Sequence, residues 1–291
     1  MKRLAALVAL LVLGWGVWMM LRTPVEERLM AALPGNQALY VYADAARLRE
    51  SSLFGPRLAQ ILGERPATYQ LVARQFEAAA ASVGSQTVYV VAAPGALPEA
   101  MLRRSLADLG ADCEEPLDES SCAVEGVAVR MLDGGLVALA SGPEPQGEVG
   151  GVAGLAERAA AAISEERALV WMAIDPGEFA ELMRDPPEGW INLSLIARAL
   201  IRARAVELTL SETGDGRIAL RLNATCGNAE DAKELKAMLG DLNRFGAAAL
   251  RKAKIRGWPE SLETMHATVD GERTEATWGL ASEDVLQLLE R

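Results

Sequence analysis

The chain has 291 residues, 51% hydrophobic and 24% charged, with 40 acidic against 29 basic side chains and a formal charge of −11. That length suffices for a full core in one large domain or two modest ones, and the composition excludes a disordered chain. An acidic surface repels phosphate backbones and anionic head groups, so nucleic acid is excluded as a partner of the body of the protein.

The first element is an unbroken apolar run from Leu4 to Leu21, drawn only from Leu, Ala, Val, Gly, Trp and Met. As a helix it is roughly 27 Å long, close to the ~30 Å hydrocarbon core of a bilayer. Lys2 and Arg3 precede it, so the positive-inside bias holds the N-terminus in the cytoplasm and sends the rest across. Trp15 and Trp18 fall near the outer end, where indole rings favour the interface. The exit, Trp18-Met19-Met20-Leu21-Arg22, lacks the small residues of a signal-peptidase site, which favours a retained anchor over a cleaved secretory signal. No cysteine follows for lipid attachment. The expectation is a signal-anchor over residues 1–22 in the inner membrane and a periplasmic ectodomain; secretion after cleavage is the alternative, and both place the body outside the cytoplasm.

A polar connector marked by Pro and Gly covers 23–37. The first module, 38–141, opens with a strand, Ala38 to Ala43, and Asp44 as N-cap of a short helix to Glu50. Tyr69, Val72, Phe76 and Ala79 recur at spacings of three and four, which predicts a helix over Thr68 to Ser82. A strand is expected over Thr87 to Ala92 and a helix over Leu97 to Leu109. Val127 to Leu132 and Leu136 to Ala140 form a hairpin through Asp133-Gly134-Gly135. Between these, Cys113 and Cys122 bracket the turn-rich stretch Glu114 to Ser121. In an oxidising compartment the pair is a candidate disulfide, closing a small loop worth roughly 2–3 kcal/mol. Cys226 is left over and reads as a buried small apolar residue.

Residues 142–154, rich in Gly, Pro and Glu, form a linker to a second module, 155–291, which begins with a helix from Leu155 to Ile163. Ala168 to Asp175 then echoes Ala38 to Asp44, each an apolar strand ending in an aspartate that starts a helix. Asp175-Pro176-Gly177-Glu178 carries the acid, the proline and the glutamate of a helix start. Val206, Leu208 and Leu210 alternate with polar residues, as do Ile218, Leu220, Leu222 and Ala224, so this hairpin has one face on a core and one wet. A long amphipathic helix runs from Ala229 to about Ala253, followed by a hairpin of Leu262 to Asp270 and Arg273 to Leu280 and a final helix from Ser282. The predicted fold class is α+β: antiparallel sheets with helices packed on one face, in two related halves after one transmembrane helix.

Site chemistry is sparse. His266 is the sole histidine, lies on the polar face of its strand and has no nucleophile at a recognisable spacing. The three cysteines and one histidine match no zinc spacing, and the acidic loop Asp112 to Glu119 lacks the alternating pattern of a calcium loop. Asp44 and Asp175 are accounted for as helix caps. No glycine arrangement suits a nucleotide. Arg251, Lys252, Lys254 and Arg256 complement the negative end of the long helix. Asn192-Leu193-Ser194 and Asn223-Ala224-Thr225 match the short glycosylation pattern. No catalytic, cofactor-binding or metal-ligating residue is assigned.

The segment Ala38 to Leu53, with Leu48-Arg49-Glu50-Ser51-Ser52-Leu53-Phe54, and the ending built on Val269-Asp270-Gly271 and Leu280-Ala281-Ser282-Glu283-Asp284 resemble a recurring pattern in bacterial membrane-anchored or secreted envelope proteins of unknown function. The resemblance implies an α+β module with an extracytoplasmic address and carries no functional residue. The expected function is a non-enzymatic module that binds another envelope protein or scaffolds an assembly at the membrane. The alternatives are a small-molecule or lipid binder using a cleft between the halves, and an enzyme of unrecognised type working with carboxylates and Ser/Thr.

Overall fold

Alternating side chains build strands in both parts of the chain, and in the computed structural model the described strands join one sheet. The structure describes residues 25–63, 74–84, 88–94, 99–108, 122–124, 127–132, 135–141, 154–184, 193–213, 217–252 and 258–281. The apolar run Leu4 to Leu21, Cys113, most of the linker and the helix expected from Ser282 lie outside them. Among the described residues, no helix is long and apolar enough to cross a membrane.

The strands are β1 (Leu39–Ala43), β2 (Phe76–Val83), β3 (Val88–Pro94), β4 (Cys122–Val124), β5 (Val127–Leu132), β6 (Leu136–Ser141), β7 (Ala168–Ile174), β8 (Ala203–Glu212), β9 (Ile218–Cys226), β10 (His266–Asp270) and β11 (Arg273–Leu280). Their order across the sheet is β10-β11-β9-β8-β7-β1-β2-β3-β6-β5-β4. The described helices are α1 (Val25–Ala31), α2 (Ala45–Glu50), α3 (Phe54–Gly63), α4 (Glu99–Asp108), α5 (Leu155–Glu165), α6 (Pro176–Leu182), α7 (Leu193–Leu200), α8 (Ala229–Lys252) and α9 (Trp258–Glu263).

Both halves trace the same path from the centre outward. Each has a helix, a central strand, two short helices and a hairpin. A further helix leads to a second hairpin, whose last strand returns beside the first. The first half reads β1-β2-β3-β6-β5 with β4 added at the edge; the second reads β7-β8-β9-β11-β10. The two strands whose sequences echo each other are antiparallel neighbours at the seam, with Tyr42 opposite Trp171 and Tyr40 opposite Ala173. The capping aspartates are exchanged across that seam. Asp44 N donates to Leu169 O at 3.0 Å, and Asp175 N donates to Ala38 O at 3.1 Å.

Both caps take the form the sequence predicts. Asp44 Oδ1 accepts from Arg47 N at 2.8 Å, and Asp175 Oδ1 accepts from Gly177 N and Glu178 N at 2.9 and 3.0 Å. Asp175→Ala is expected to destabilise the fold by about 1 kcal/mol, read as a lower denaturation midpoint at unchanged slope.

Because side chains alternate, the sheet has two distinct faces. On one, Val206, Leu222, Ala224, Ala276 and Trp278 pack with Phe179 of α6, Leu200 of α7 and Leu235 of α8. Leu102 and Leu106 of α4 close the same face over β4, β5 and β6. On the other, Tyr40, Tyr42, Ala78, Ala80, Tyr89, Val91 and Trp171 lie beneath Leu29 and Met30 of α1 and Leu155, Ala159 and Ile163 of α5. Helices therefore cover both faces of the centre, which corrects the expectation of one helix-bearing face. The central strands β1 and β7 are apolar on both sides, and each side needs cover.

The helix expected over Thr68 to Ser82 is also corrected: residues 76–83 form β2. Alanine favours helices in isolation, but packing overrides that preference here. In cross-strand rows, Ser82 lies between Tyr40 and Tyr89, and Ala80 lies between Tyr42 and Val91. A small residue between two large ones lets α1 approach the sheet. Leu262, expected in a strand, belongs to α9, whose early Pro259 suits a helix start.

Burial pushes the Tyr42 phenol well above its ordinary value of 10.0, Glu26 and Asp44 push it further, and Arg47 opposes them. The folded state thus holds the neutral phenol more firmly than the unfolded chain does. That contribution is complete below pH 10 and is lost as pH rises above it. Alkaline titration of stability is expected to fall above about pH 10, and Tyr42→Phe should make that fall shallower.

Candidate functional site: a polar trough on the open face of the second half

Outside β7, which α5 covers, no described helix lies over this face of the second half, and its residues are mostly polar row by row. Ala205, Thr225, Arg273 and Asp270 form one cross-strand row; Glu207, Asn223, Glu275 and Thr268 form the next; Thr209, Arg221, Thr277 and His266 form a third. Strand alternation causes this directly, since the odd-numbered residues of β8, β9 and β11 share the face opposite Val206, Leu222 and Ala276. With Arg158 of α5 as a wall, the first two rows enclose a trough of about 600 Å³.

Ion pairs between neighbouring elements hold two of its arginines. Arg158 Nε meets Glu207 Oε1 at 3.0 Å. Arg221 reaches Glu166 Oε1 with Nη1 at 2.9 Å and Glu275 Oε1 with Nε at 3.3 Å. These pairs are half exposed, so they add little stability; their effect is to fix where the guanidinium groups sit. Arg273 is exposed and has no ion-pair partner among the described residues. The trough offers donors from Arg221, Arg273 and Asn223, hydroxyls from Thr225 and Thr268, and acceptors from Glu207, Asp270 and Glu275. Such a lining suits a ligand rich in hydrogen-bonding groups.

The residues singled out by sequence fall in different places. His266 is exposed on the polar side of β10, as its strand register predicts, and its side chain makes no hydrogen bond among the described residues. Cys122 is wholly buried on β4, while its candidate partner Cys113 lies outside the described residues. Cys226 is free and buried. Burial pushes its thiol up, and a hydrogen bond with Thr274 partly offsets this. Asp44 and Asp175 sit at their helix starts. Arg251 pairs with Glu263 across the α8–α9 corner, while Asn223 stands in the trough. Among the described residues there is no group of three or more His, Cys, Asp or Glu that could hold a metal ion.

Sequence reasoning read the odd-numbered residues of β8 and β9 as the wet side of a hairpin and went no further. The signal for more was present. The second hairpin has a similar wet side in Thr268, Asp270, Arg273 and Glu275, and only the β9–β11 pairing joins the two into one surface.

No protein-family model matches the chain, and no curated protein matches it. Its fold is similar to crystal structures of TP0453. Against crystal form III the identity is 11% and the TM-score 0.51, covering 89% of this chain and 96% of that one. Against crystal form I the values are 12% and 0.49, covering 90% and 96%. The first of these shows a shared fold and nothing of activity.

Proposed function

We propose that the chain is a membrane-tethered binding module of the bacterial envelope, anchored through Leu4 to Leu21 with its body outside the cytoplasm, and that the trough receives a polar segment of another envelope protein. The observation that carries this reading is the open polar face itself. Four strands present fixed guanidinium, amide, hydroxyl and carboxylate groups side by side, in a form that complements a hydrogen-bonding surface. In the same reading, Cys113 and Cys122 are joined by a disulfide that ties β4 to the preceding loop.

Photo-crosslinking of the full chain in its own membranes tests the proposal, with the probe placed at Asn223, in the trough. A single reproducible partner, lost in the variant Arg273→Glu combined with Thr225→Arg, supports it. Recovery that is unchanged in the variant counts against the trough. A second reading, a polar small molecule in the same trough, is favoured by its volume, which lies within the ~300–1,000 Å³ usual for ligand pockets. A thermal-shift screen of the full chain against polar metabolites separates the two, since a protein-binding trough gives a flat response.

A further inference from the structure

Among the described residues β10 is the last strand on its side of the sheet, and its outer edge has a legible backbone pattern. Glu272 O accepts from Cys226 N at 2.8 Å, so even-numbered positions of β11 turn their backbone groups toward β9. The odd positions Arg273, Glu275 and Thr277 then turn toward β10 and engage their register partners Asp270, Thr268 and His266. Ala267 and Val269 are left with N–H and C=O directed away from the sheet. Edge strands commonly block further pairing with proline, lysine or a bulge. β10 has neither residue, and its register with β11 is unbroken.

We propose that two copies of this chain pair edge to edge through β10, antiparallel about a two-fold axis at Thr268. The sequence His266-Ala267-Thr268-Val269-Asp270 is self-complementary in that register. Ala267 and Val269 exchange backbone hydrogen bonds with the partner's Val269 and Ala267, and these are the residues whose backbone groups are free. His266 faces the partner's Asp270 at both ends, in non-hydrogen-bonded positions where side chains approach most closely, and Thr268 faces its own copy. Moving the centre to Ala267 or Val269 keeps outward groups opposed but breaks both His–Asp pairs, so hydrogen bonding between these side chains selects the register. On the opposite face, Ala267 and Val269, half-buried against the core, meet their counterparts and extend the apolar layer.

An isologous contact of this kind closes on itself as a dimer. It is smaller than the roughly 1,200 Å² of a stable interface, so it is weak in dilute solution and gains from tethering in a shared membrane. A two-fold axis normal to the sheet brings both troughs to the same side. The inference does not depend on what the trough binds.

The test uses the full chain in native membranes with a Thr268→Cys substitution and a mild oxidant. A disulfide-linked species of twice the chain's mass is expected, while Thr225→Cys, on the same face but two strands inward, should give none. Adding Asp270→Lys to Thr268→Cys should abolish the link, and the exchange His266→Asp with Asp270→His should restore it. Absence of the link in a chain that is folded by circular dichroism overturns the proposal. Equal linking at Thr225→Cys, or a linked species of another mass, also overturns it.

Discussion

Trp171→Ala is expected to cost about 3–5 kcal/mol and to lower the stability of both halves together in a single transition. Trp171 is wholly buried on β7 at the seam, opposite Tyr42 of β1, in the core closed by α1 and α5. Removing the indole leaves a cavity where the first and second halves share one apolar layer, so neither can relax without the other. The indole N–H has no hydrogen-bond partner among the described residues. Trp171→Phe, which keeps an aromatic ring and removes that orphan donor, should therefore cost well under the alanine value. Guanidinium denaturation of the full chain in detergent, followed by circular dichroism, measures both. Two separate transitions in Trp171→Ala would mean that the halves are independent folding units.

Leu29→Ala is the second large effect, expected at about 2–5 kcal/mol. The helix α1 has seven residues, too few to persist alone in water. Leu29, Met30 and Leu33, all buried, hold this segment against the other face of the sheet and against α5. Truncating Leu29 should do more than lower global stability. It should free α1 locally, so that limited proteolysis cuts between the N-terminal run and β1 far faster than in the parent chain. A variant that unfolds earlier but shows no faster cleavage there would mean that the lost energy belongs to the sheet and not to the docking of α1.

How much of this was legible depended on whether a segment's own pattern agreed with its surroundings. The hairpin of β8 and β9 alternates strictly and has one wet face, so its strands were readable to within a few residues. Asp44 and Asp175 announced helix starts because the cap is a local interaction. β2 misled because alanine satisfies a helical repeat as easily as a strand. Only the tyrosines on either side, far away in sequence or in the next strand, explain why small residues stand there. The pairing of β1 with β7 joins residues about 130 apart, and nothing in either segment specifies its neighbour, so the sequence suggested two modules where one sheet is found. The trough was hidden for the same reason: each wet face was visible, and their fusion through β9 and β11 was not.

In the function proposed above, the polar surface held by paired charges is carried on a body tethered through the N-terminal run and meets partners that share the envelope.

Fractionation of cells expressing the full chain, with carbonate extraction and protease added to spheroplasts, tests the central claim most directly. The expected result is a full-length chain that stays with the membrane through carbonate and loses its body to protease added from outside. A full-length chain recovered in the soluble cytoplasmic fraction, or a body protected until the inner membrane is broken, would contradict it.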